Sequence, residues 1–182
     1  MKSLLHRIDD NFITENSFLA CIEITKGSKN KYEYNEDMDA LVLDRILFTA
    51  AHYPHNYGFI PKTWGLDDDP LDVLVISSEP IVPLALVKCK PIGVLEMIDN
   101  GCNDEKIIAV AYGDPFFSNY EDLIELPSHI MDEIRHFFKI YKQLEFGKST
   151  NVEGFKGKEK AQETINNAKA RYKEKFKGEK HE

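Results

Sequence analysis

The chain changes character once, near residues 114–127, and this change limits the folds it can adopt. The segments before it are rich in β-branched and aromatic residues, which strands favour. The segments after it carry apolar residues at helical spacing. Strands followed by helices indicate a mainly β protein of the α+β class, most simply a small barrel or curled sheet with helices packed outside. The predicted strands are residues 18–25, 31–34, 41–47, 72–76, 84–97 and 106–111.

Turn and cap signals place the remaining elements. The pair Asn100-Gly101 favours the positive φ of a tight turn, which predicts a hairpin between the last two strands. Apolar residues recur at helical spacing from Ile130 to Leu144, and Gly147 follows as a stop signal. A second helix is predicted at about residues 158–176, with a frayed tail beyond it.

Size and charge exclude several classes of protein. With 182 residues, of which 42% are hydrophobic, the chain can bury one good core, so we expect a single domain over residues 1–182. Its 23 Lys and Arg against 31 Asp and Glu give a net charge of -8, which disfavours nucleic acid and anionic membranes as partners.

The compartment is inferred from what the sequence does not contain. No run approaches the roughly 20 apolar residues of a membrane span, and the first residues lack a secretory signal. Cys21, Cys89 and Cys102 are odd in number and without CxxC spacing, so neither a disulfide framework nor a zinc site is indicated. We therefore expect a cytoplasmic protein with reduced cysteines.

The acidic segment of residues 65–72 carries the strongest chemical signal. Asp67, Asp68, Asp69 and Asp72 place four carboxylates within six residues, directly before an apolar strand. Two unit charges 4 Å apart repel by about 4 kcal/mol at a dielectric of about 20, so cations would stabilise such a loop at a cleft. Oxygen ligands suit a hard ion such as Mg²⁺ or Mn²⁺. From these residues alone, an exposed polar turn remains the alternative.

Other loops of similar composition do not fit. An EF-hand that began at Asp67 would need glycine where this chain has Asp72. A phosphatase that forms an aspartyl phosphate would place its Asp pair at the end of a strand, whereas here the strand follows. Gly147-Lys148-Ser149 imitates the end of a P-loop, but Lys142 occupies the position of the first glycine.

Seven segments, in order, resemble the soluble inorganic pyrophosphatases of the small prokaryotic type. The acidic segment matches that family's pattern of Asp, a small or polar residue, Asp, Pro, an aliphatic residue and Asp. The resemblance covers roughly residues 18–155. The segments are residues 22–24, 29–33, 43–45, 53–58, 67–72, 91–95 and 136–142.

The resemblance implies a fold and an activity. The fold is an OB-type five-stranded β-barrel with helices packed outside. The activity is hydrolysis of inorganic pyrophosphate to two orthophosphates, by direct attack of a metal-activated water. The family's cofactor is Mg²⁺, with Mn²⁺ as a substitute, and chains of this size form homohexamers.

The resemblance also implies roles for particular residues. Asp69 is placed as the base that faces the attacking water, with Tyr57 and Arg45 beside it in the catalytic set. The implied metal ligands are Asp67, Asp72 and Asp104, with Asp99 for further ions. The implied phosphate contacts are Lys31, Arg45, Tyr57, Lys106, Tyr141 and Lys142. Glu23, Glu33 and Tyr53 form the surrounding shell.

Two other functions remain open on the residues alone. A metal-dependent phosphatase for nucleotides or phosphate esters would need a pocket for a base or a sugar, and the sequence offers no obvious one. A protein that only binds divalent cations would not need Asp69 or the basic residues Lys31, Arg45 and Lys142.

Overall fold

The computed structural model describes residues 3–177, so the frayed tail predicted beyond about residue 176 lies outside the described residues except for residue 177. The strands are β1 (Phe18–Ile24), β2 (Asn30–Asn35), β3 (Ala40–Ile46), β4 (Asn56–Phe59), β5 (Asp72–Ile76), β6 (Leu86–Asp99), β7 (Cys102–Ala111) and β8 (Thr150–Gly157). The helices are α1 (Leu4–Arg7), α2 (Ser128–Ile140) and α3 (Lys158–Lys175), with 3₁₀ turns at Asp10–Phe12 and Leu123–Glu125.

Five strands close into a barrel. They pair in the order β1, β4, β5, β7, β6, and β6 returns to β1. The β5–β7 pair is parallel and the other barrel pairs are antiparallel. Closure leaves no free edge, which satisfies the backbone hydrogen bonds all round. The predicted OB-type barrel with helices outside it is confirmed.

Two further sheet elements lie outside the closed ring. Strand β8 pairs with the second half of β6, and β2 and β3 form a separate two-stranded ribbon. The predicted hairpin joins β6 to β7, with φ of 49° at Asn100 and 87° at Gly101. Within residues 3–177, no helix is long and apolar enough to cross a membrane.

Alternate residues of β5 and β7 face two different apolar clusters, because successive side chains of a strand point to opposite faces. Leu74 and Ile108 pack in one cluster with Phe137 and Phe138 of α2. Val73, Val75, Ile107 and Ala109 pack in the other with Ala161, Ile165 and Ala168 of α3. Both faces of these strands are therefore buried, which explains their nearly continuous apolar sequence.

The structure corrects the sequence prediction in three places. Strands β4 and β8 were not predicted, and β8 lies between the two long helices, so the simple order of strands before helices is wrong. Strand β4 has only four residues, and β8 is half-buried to exposed with little apolar character. The first long helix ends at Ile140. A tighter turn follows, in which Gln143 N–H donates to the carbonyl of Ile140, three residues earlier. Leu144 lies beyond the helix and is 67% exposed.

Candidate active site

A cavity of about 300 Å³ opens beside the acidic segment. Ribbon strand β2, barrel strands β1 and β4–β7, and the residues just after α2 all contribute side chains to it. Twelve of the fourteen predicted site residues line it: Glu23, Lys31, Glu33, Tyr57, Asp67, Asp69, Asp72, Asp99, Asp104, Lys106, Tyr141 and Lys142. Residues far apart in the sequence thus converge where the resemblance predicted a single site.

The acidic loop, residues 65–71, is a tight turn held by its own backbone. Gly65 N–H donates to the Asp69 carbonyl at 2.6 Å, and Asp68 adopts a left-handed φ of 69°. A Cβ atom at Gly65 would lie 2.5 Å from Oδ1 of Asp67, so a larger residue here would displace the Asp67 carboxylate. The turn directs Asp67 and Asp69 toward the cavity, while the Asp68 side chain is 79% exposed.

The barrel delivers a buried ammonium into the centre of the carboxylates. Parallel pairing sets Asp72, the first residue of β5, beside Lys106 of β7. The Lys106 Nζ atom lies 2.7 Å from Asp72 Oδ2 and 2.8 Å from Asp104 Oδ2. Its side chain is 3% exposed. One positive charge therefore serves two carboxylates.

Tyr57 completes this cluster from the neighbouring strand β4. Its hydroxyl donates to Asp72 Oδ2 at 2.5 Å and accepts from Lys106 Nζ at 3.0 Å. Burial, reinforced by the charge of Asp72, raises the pKa of Tyr57 well above its ordinary value. The phenol consequently stays protonated and serves as a hydrogen-bond donor.

A second cluster forms where β6 ends and α2 ends. Tyr141 Oη donates to Asp99 Oδ2 at 3.3 Å, and the Lys142 ammonium contacts the same oxygen. Among residues 3–177, the buried Oδ1 atom of Asp99 has no hydrogen-bond partner. Asp99 lines the cavity, and a buried carboxylate oxygen without a hydrogen-bond donor is suited to a cation.

The β2–β3 ribbon and β1 supply the opposite wall. The Lys31 ammonium pairs with Glu33 and lies 3.4 Å from Asp44 Oδ2. Glu23 of β1 accepts a hydrogen bond from Tyr34 N–H at 2.7 Å. Burial raises the pKa of Glu23 to about 8, because the charged form loses its hydration there.

Two predicted site residues do not line the cavity. Arg45 lies opposite Lys31 in the ribbon, but its Nε–H donates to Glu145 Oε1 at 2.9 Å and a second nitrogen contacts Asp44. Tyr53 is a core residue, 2% exposed, and its ring lies 5.3 Å from that of Tyr57. Tyr53 therefore supports Tyr57 from behind and does not face the cavity.

The structure adds cavity residues that the sequence analysis did not select: Tyr32, Tyr34, Phe59 and Pro70. Phe59 stands two positions after Tyr57 on the same strand face, which is a period-two signal. A strand of four residues is too short for this alternation to stand out in the sequence. Tyr32 and Tyr34 lie on a ribbon outside the barrel, where alternation does not distinguish a cavity wall from a surface.

Negative charge predominates in the cavity. Partial desolvation and repulsion from Asp72 raise the pKa of Asp67 to about 7 and also raise the pKa of Asp69. Desolvation also raises the pKa of Asp104, against the lowering effect of Lys106. Carboxylates whose charged forms are disfavoured in this way gain from a bound cation.

The donor set fits Mg²⁺ in its chemistry, because every candidate ligand is a carboxylate oxygen. In the part of the chain that the structure describes, no three acidic, histidine or cysteine side chains converge as a ready-made metal centre. Asp72 and Asp104 both direct an oxygen toward the Lys106 ammonium. Binding a metal at these carboxylates would therefore require them to turn away from Lys106.

Comparisons with known proteins agree on one family. The model of the inorganic pyrophosphatase family matches residues 20–173. The inorganic pyrophosphatase of Nanoarchaeum equitans is 51% identical over 156 residues, which cover 85% of this chain and 96% of that protein. The inorganic pyrophosphatase of Halalkalibacterium halodurans is 49% identical over 154 residues, which cover 85% of this chain and 94% of that protein.

Solved structures give the same result. The structure of the Helicobacter pylori inorganic pyrophosphatase superposes with a TM-score of 0.85 at 42% identity, covering 87% of this chain and 95% of that one. The structure of the Thermus thermophilus enzyme gives a TM-score of 0.85 at 41% identity, covering 87% and 92%.

Proposed function

Because the chain belongs to the inorganic pyrophosphatase family and hydrolyses inorganic pyrophosphate to two orthophosphates, we propose that the reaction takes place in the cavity beside the acidic loop. The observation that carries this proposal is the convergence on one cavity of the acidic loop, the Lys106 cluster and Lys31 and Lys142. Carboxylates for cations and ammonium groups for phosphate are the two donor types that hydrolysis of a small polyanion requires.

Asp67, Asp72 and Asp104 hold Mg²⁺, with Mn²⁺ as a substitute, and Asp99 holds further ions that arrive with the substrate. The raised pKa of Asp67 and the unsatisfied oxygen of Asp99 support this assignment. When bound, the metal neutralises charge on the pyrophosphate and lowers the pKa of a water ligand. Asp72 and Asp104 would turn from Lys106 toward the ion, while the Lys106 ammonium keeps its hydrogen bond to the Tyr57 hydroxyl.

Asp69 is the base that accepts the proton of the attacking water. Asp69 lines the cavity, and its loop is fixed by the hydrogen bond from Gly65 N–H to the Asp69 carbonyl. Desolvation and the charge of Asp72 raise its pKa, which increases its proton affinity relative to an ordinary aspartate. A positioned base of this kind typically contributes about 10²- to 10⁴-fold to the rate.

Lys31, Lys142, Tyr57 and Tyr141 bind the phosphate oxygens. Both lysines are paired with carboxylates of the cavity, Lys31 with Glu33 and Lys142 with Asp99, so a phosphate competes with these carboxylates for the ammonium groups. Tyr57 and Tyr141 each have one O–H, now donated to Asp72 and to Asp99, and each would transfer this hydrogen bond to a phosphate oxygen without adding charge. Glu23, Glu33 and Tyr53 form the shell that orients them.

Arg45 is proposed to join the phosphate contacts when its guanidinium leaves Glu145. It occupies the ribbon position opposite Lys31, which itself lines the cavity. Its fork-shaped guanidinium matches a phosphate better than an ammonium does. This movement breaks the ion pairs of Arg45 with Glu145 and Asp44, and two hydrogen bonds to a phosphate would offset their loss.

The quaternary structure and the compartment are parts of the same proposal. We assign one domain, a homohexamer and a cytoplasmic location, with pyrophosphate as the substrate and neither nucleic acid nor membrane as a partner. Apolar side chains such as Val82 (71% exposed), Phe116 (73%) and Ile124 (86%) support association between copies. Light scattering after size exclusion would give six times the 20.9 kDa chain mass if the hexamer is right.

Phosphate release by the purified protein tests the function. Pyrophosphate with Mg²⁺, pyrophosphate without Mg²⁺, and a phosphate monoester with Mg²⁺ are compared at one protein concentration. The proposal predicts fast release only from pyrophosphate with Mg²⁺. Faster release from the monoester would indicate a phosphatase for phosphate esters. No release from any substrate would indicate a protein that only binds divalent cations.

A further inference from the structure

The residue that precedes the acidic loop is attached to the C-terminal helix by both of its peptide groups. Trp64 N–H donates to the Ala168 carbonyl at 3.0 Å. The Trp64 carbonyl accepts from Arg171 Nε–H at 2.8 Å. The start of the acidic loop is therefore fixed to α3, which belongs to no other part of the proposed site.

The side chain of Trp64 continues this attachment into the acidic loop itself. Its indole Nε1–H donates to Asp68 Oδ1 at 2.9 Å. The Lys175 ammonium lies 4.1 Å from the centroid of the indole ring and also pairs with Asp68 Oδ1. Phe176 packs its ring edgewise against the indole, with 5.4 Å between centroids. Trp64, Asp68 and Lys175 thus form one connected contact, which we call the helix–loop clasp.

The clasp acts on a residue whose backbone is strained. Asp68 has a φ of 69°, a conformation that few non-glycine residues adopt. It stands between Asp67 and Asp69, the proposed metal ligand and the proposed base. Because neighbouring residues share peptide planes, holding Asp68 in this conformation also fixes the directions in which Asp67 and Asp69 leave the backbone.

We propose that Lys175, in the last turn of α3, is a positioning residue that keeps the acidic loop in its cation-binding conformation through Asp68 and Trp64. This inference rests on the proposed metal site in the cavity. Lys175 touches neither substrate nor metal. Its contribution is to reduce the number of conformations that Asp67 and Asp69 must lose when a cation binds.

The expected consequence is local. An ion pair between exposed side chains contributes little to global stability. Without Lys175, Asp68 can leave its left-handed conformation, and Mg²⁺ must then restore the loop as it binds. The apparent affinity for Mg²⁺ is then multiplied by the fraction of molecules that already have the binding conformation.

Trp64 gives a readout that does not depend on catalysis, because it is the only tryptophan in the chain. Its fluorescence is measured while Mg²⁺ alone is added, for the native protein and for Lys175→Ala, Lys175→Arg and Lys173→Ala. Arginine keeps both the ion pair and the contact with the ring, so Lys175→Arg is the rescue variant. Lys173 is an exposed lysine of the same helix end, so Lys173→Ala is the matched control.

We expect the Mg²⁺ concentration at half of the fluorescence change to rise by about three- to tenfold in Lys175→Ala, which is the range for a loop populated at roughly a third to a tenth. Lys175→Arg and Lys173→Ala should keep the native midpoint within about twofold. The melting temperature of all three variants should stay within about 4 °C of native, as for the loss of an exposed pair.

Three results would overturn the inference: an unchanged midpoint in Lys175→Ala, a midpoint in Lys175→Arg shifted as far as in Lys175→Ala, or no response of Trp64 fluorescence to Mg²⁺ in the native protein. Phosphate release from pyrophosphate is measured on the same native preparation. If the native protein releases phosphate with Mg²⁺ while the Lys175→Ala midpoint is unchanged, only the role of Lys175 is wrong. If the native protein releases none, the proposed function fails instead.

Discussion

The ammonium of Lys106 lies 2.7 Å from the carboxylate of Asp72, and the Lys106 side chain is only 3% exposed. The parallel register of β5 and β7 creates this contact, since it sets the two residues side by side in adjacent strands. Asp104 shares the same ammonium from two residues earlier on β7. The cavity thus has a cation supplied by the chain itself at its most acidic point.

Removal of this ammonium should destabilise the fold. Lys106→Ala leaves Asp72 and Asp104 close together without a counter-charge, and loss of one partner from a buried pair costs about 3 to 5 kcal/mol. We expect that loss in the free energy of unfolding, measured in urea without divalent cations. Saturating Mg²⁺ should recover part of it.

The control is Lys160→Ala, which removes an exposed partner of Glu163 on α3. Its effect should stay below about 1 kcal/mol. Equal stabilities for the two variants would show that the Lys106 contacts are not the ones that hold the cavity together.

Asp69→Asn tests the base. The amide is nearly the same size as the carboxylate but cannot accept a proton at neutral pH, so turnover should fall by at least about 10²-fold. The Mg²⁺ concentration for half-maximal activity should change by less than about threefold, because Asp69 is not assigned as a ligand. The matched control is Asp132→Asn, at an exposed aspartate of α2, and we expect it to keep native turnover. Near-native turnover in Asp69→Asn would remove it from the mechanism.

Gly65→Ala tests the shape of the acidic loop. The added methyl group would meet Asp67 Oδ1 at 2.5 Å, so Asp67 or the backbone must move. Gly113→Ala is the matched control, since no atom lies within 4 Å of a Cβ atom there. We expect the Mg²⁺ concentration for half-maximal activity to rise by about tenfold or more in Gly65→Ala, as for a disturbed metal ligand environment. Identical Mg²⁺ titrations in both glycine variants would contradict Asp67 as a ligand.

His55 should make the fold sensitive to acid. It is 6% exposed, and among residues 3–177 neither of its ring nitrogens has a hydrogen-bond partner. Burial, together with the nearby charge of Lys26, lowers its pKa from the ordinary 6.5 to about 4. The unfolded chain therefore binds a proton that the folded protein resists, so this stability is present above pH 6.5 and is lost as the pH falls toward 4.

The difference between pH 7 and pH 4 is at most about 3 kcal/mol from this group. His55→Leu removes the titration, so its free energy of unfolding should fall less than that of the native protein over this range. Exposed His129 supplies the control variant His129→Leu, which should follow the native profile. Parallel profiles for all three proteins would show that His55 does not titrate on unfolding.

Local chemistry predicted much of the site and of the fold. The acidic loop, the long apolar strands and the Asn100-Gly101 hairpin carry their signals within a few residues, because turn conformation and strand burial depend on neighbours. The resemblance then brought distant segments together. Its expectation that Tyr57, Asp104 and Lys142 belong with the acidic loop agrees with their positions in the cavity wall.

What the sequence did not predict depends on contacts between distant residues. Arg45 is held by Glu145, which is one hundred residues away, and no local sequence pattern predicts such a pair. Strands β4 and β8 are short or weakly apolar, so only their sheet partners make them strands. The attachment of Trp64 to α3 has the same character, since Trp64 and Arg171 are 107 positions apart.

Crystals of the native protein grown with Mn²⁺ would show whether the carboxylates of this cavity hold the catalytic metal. Anomalous scattering would locate the ions independently of any model of the ligands. We expect the strongest peak within coordination distance of Asp67, Asp72 and Asp104, with Asp72 and Asp104 turned from Lys106 toward the ion. If the strongest peak lies elsewhere and Lys106 keeps its contacts with Asp72 and Asp104, these carboxylates do not hold the catalytic metal.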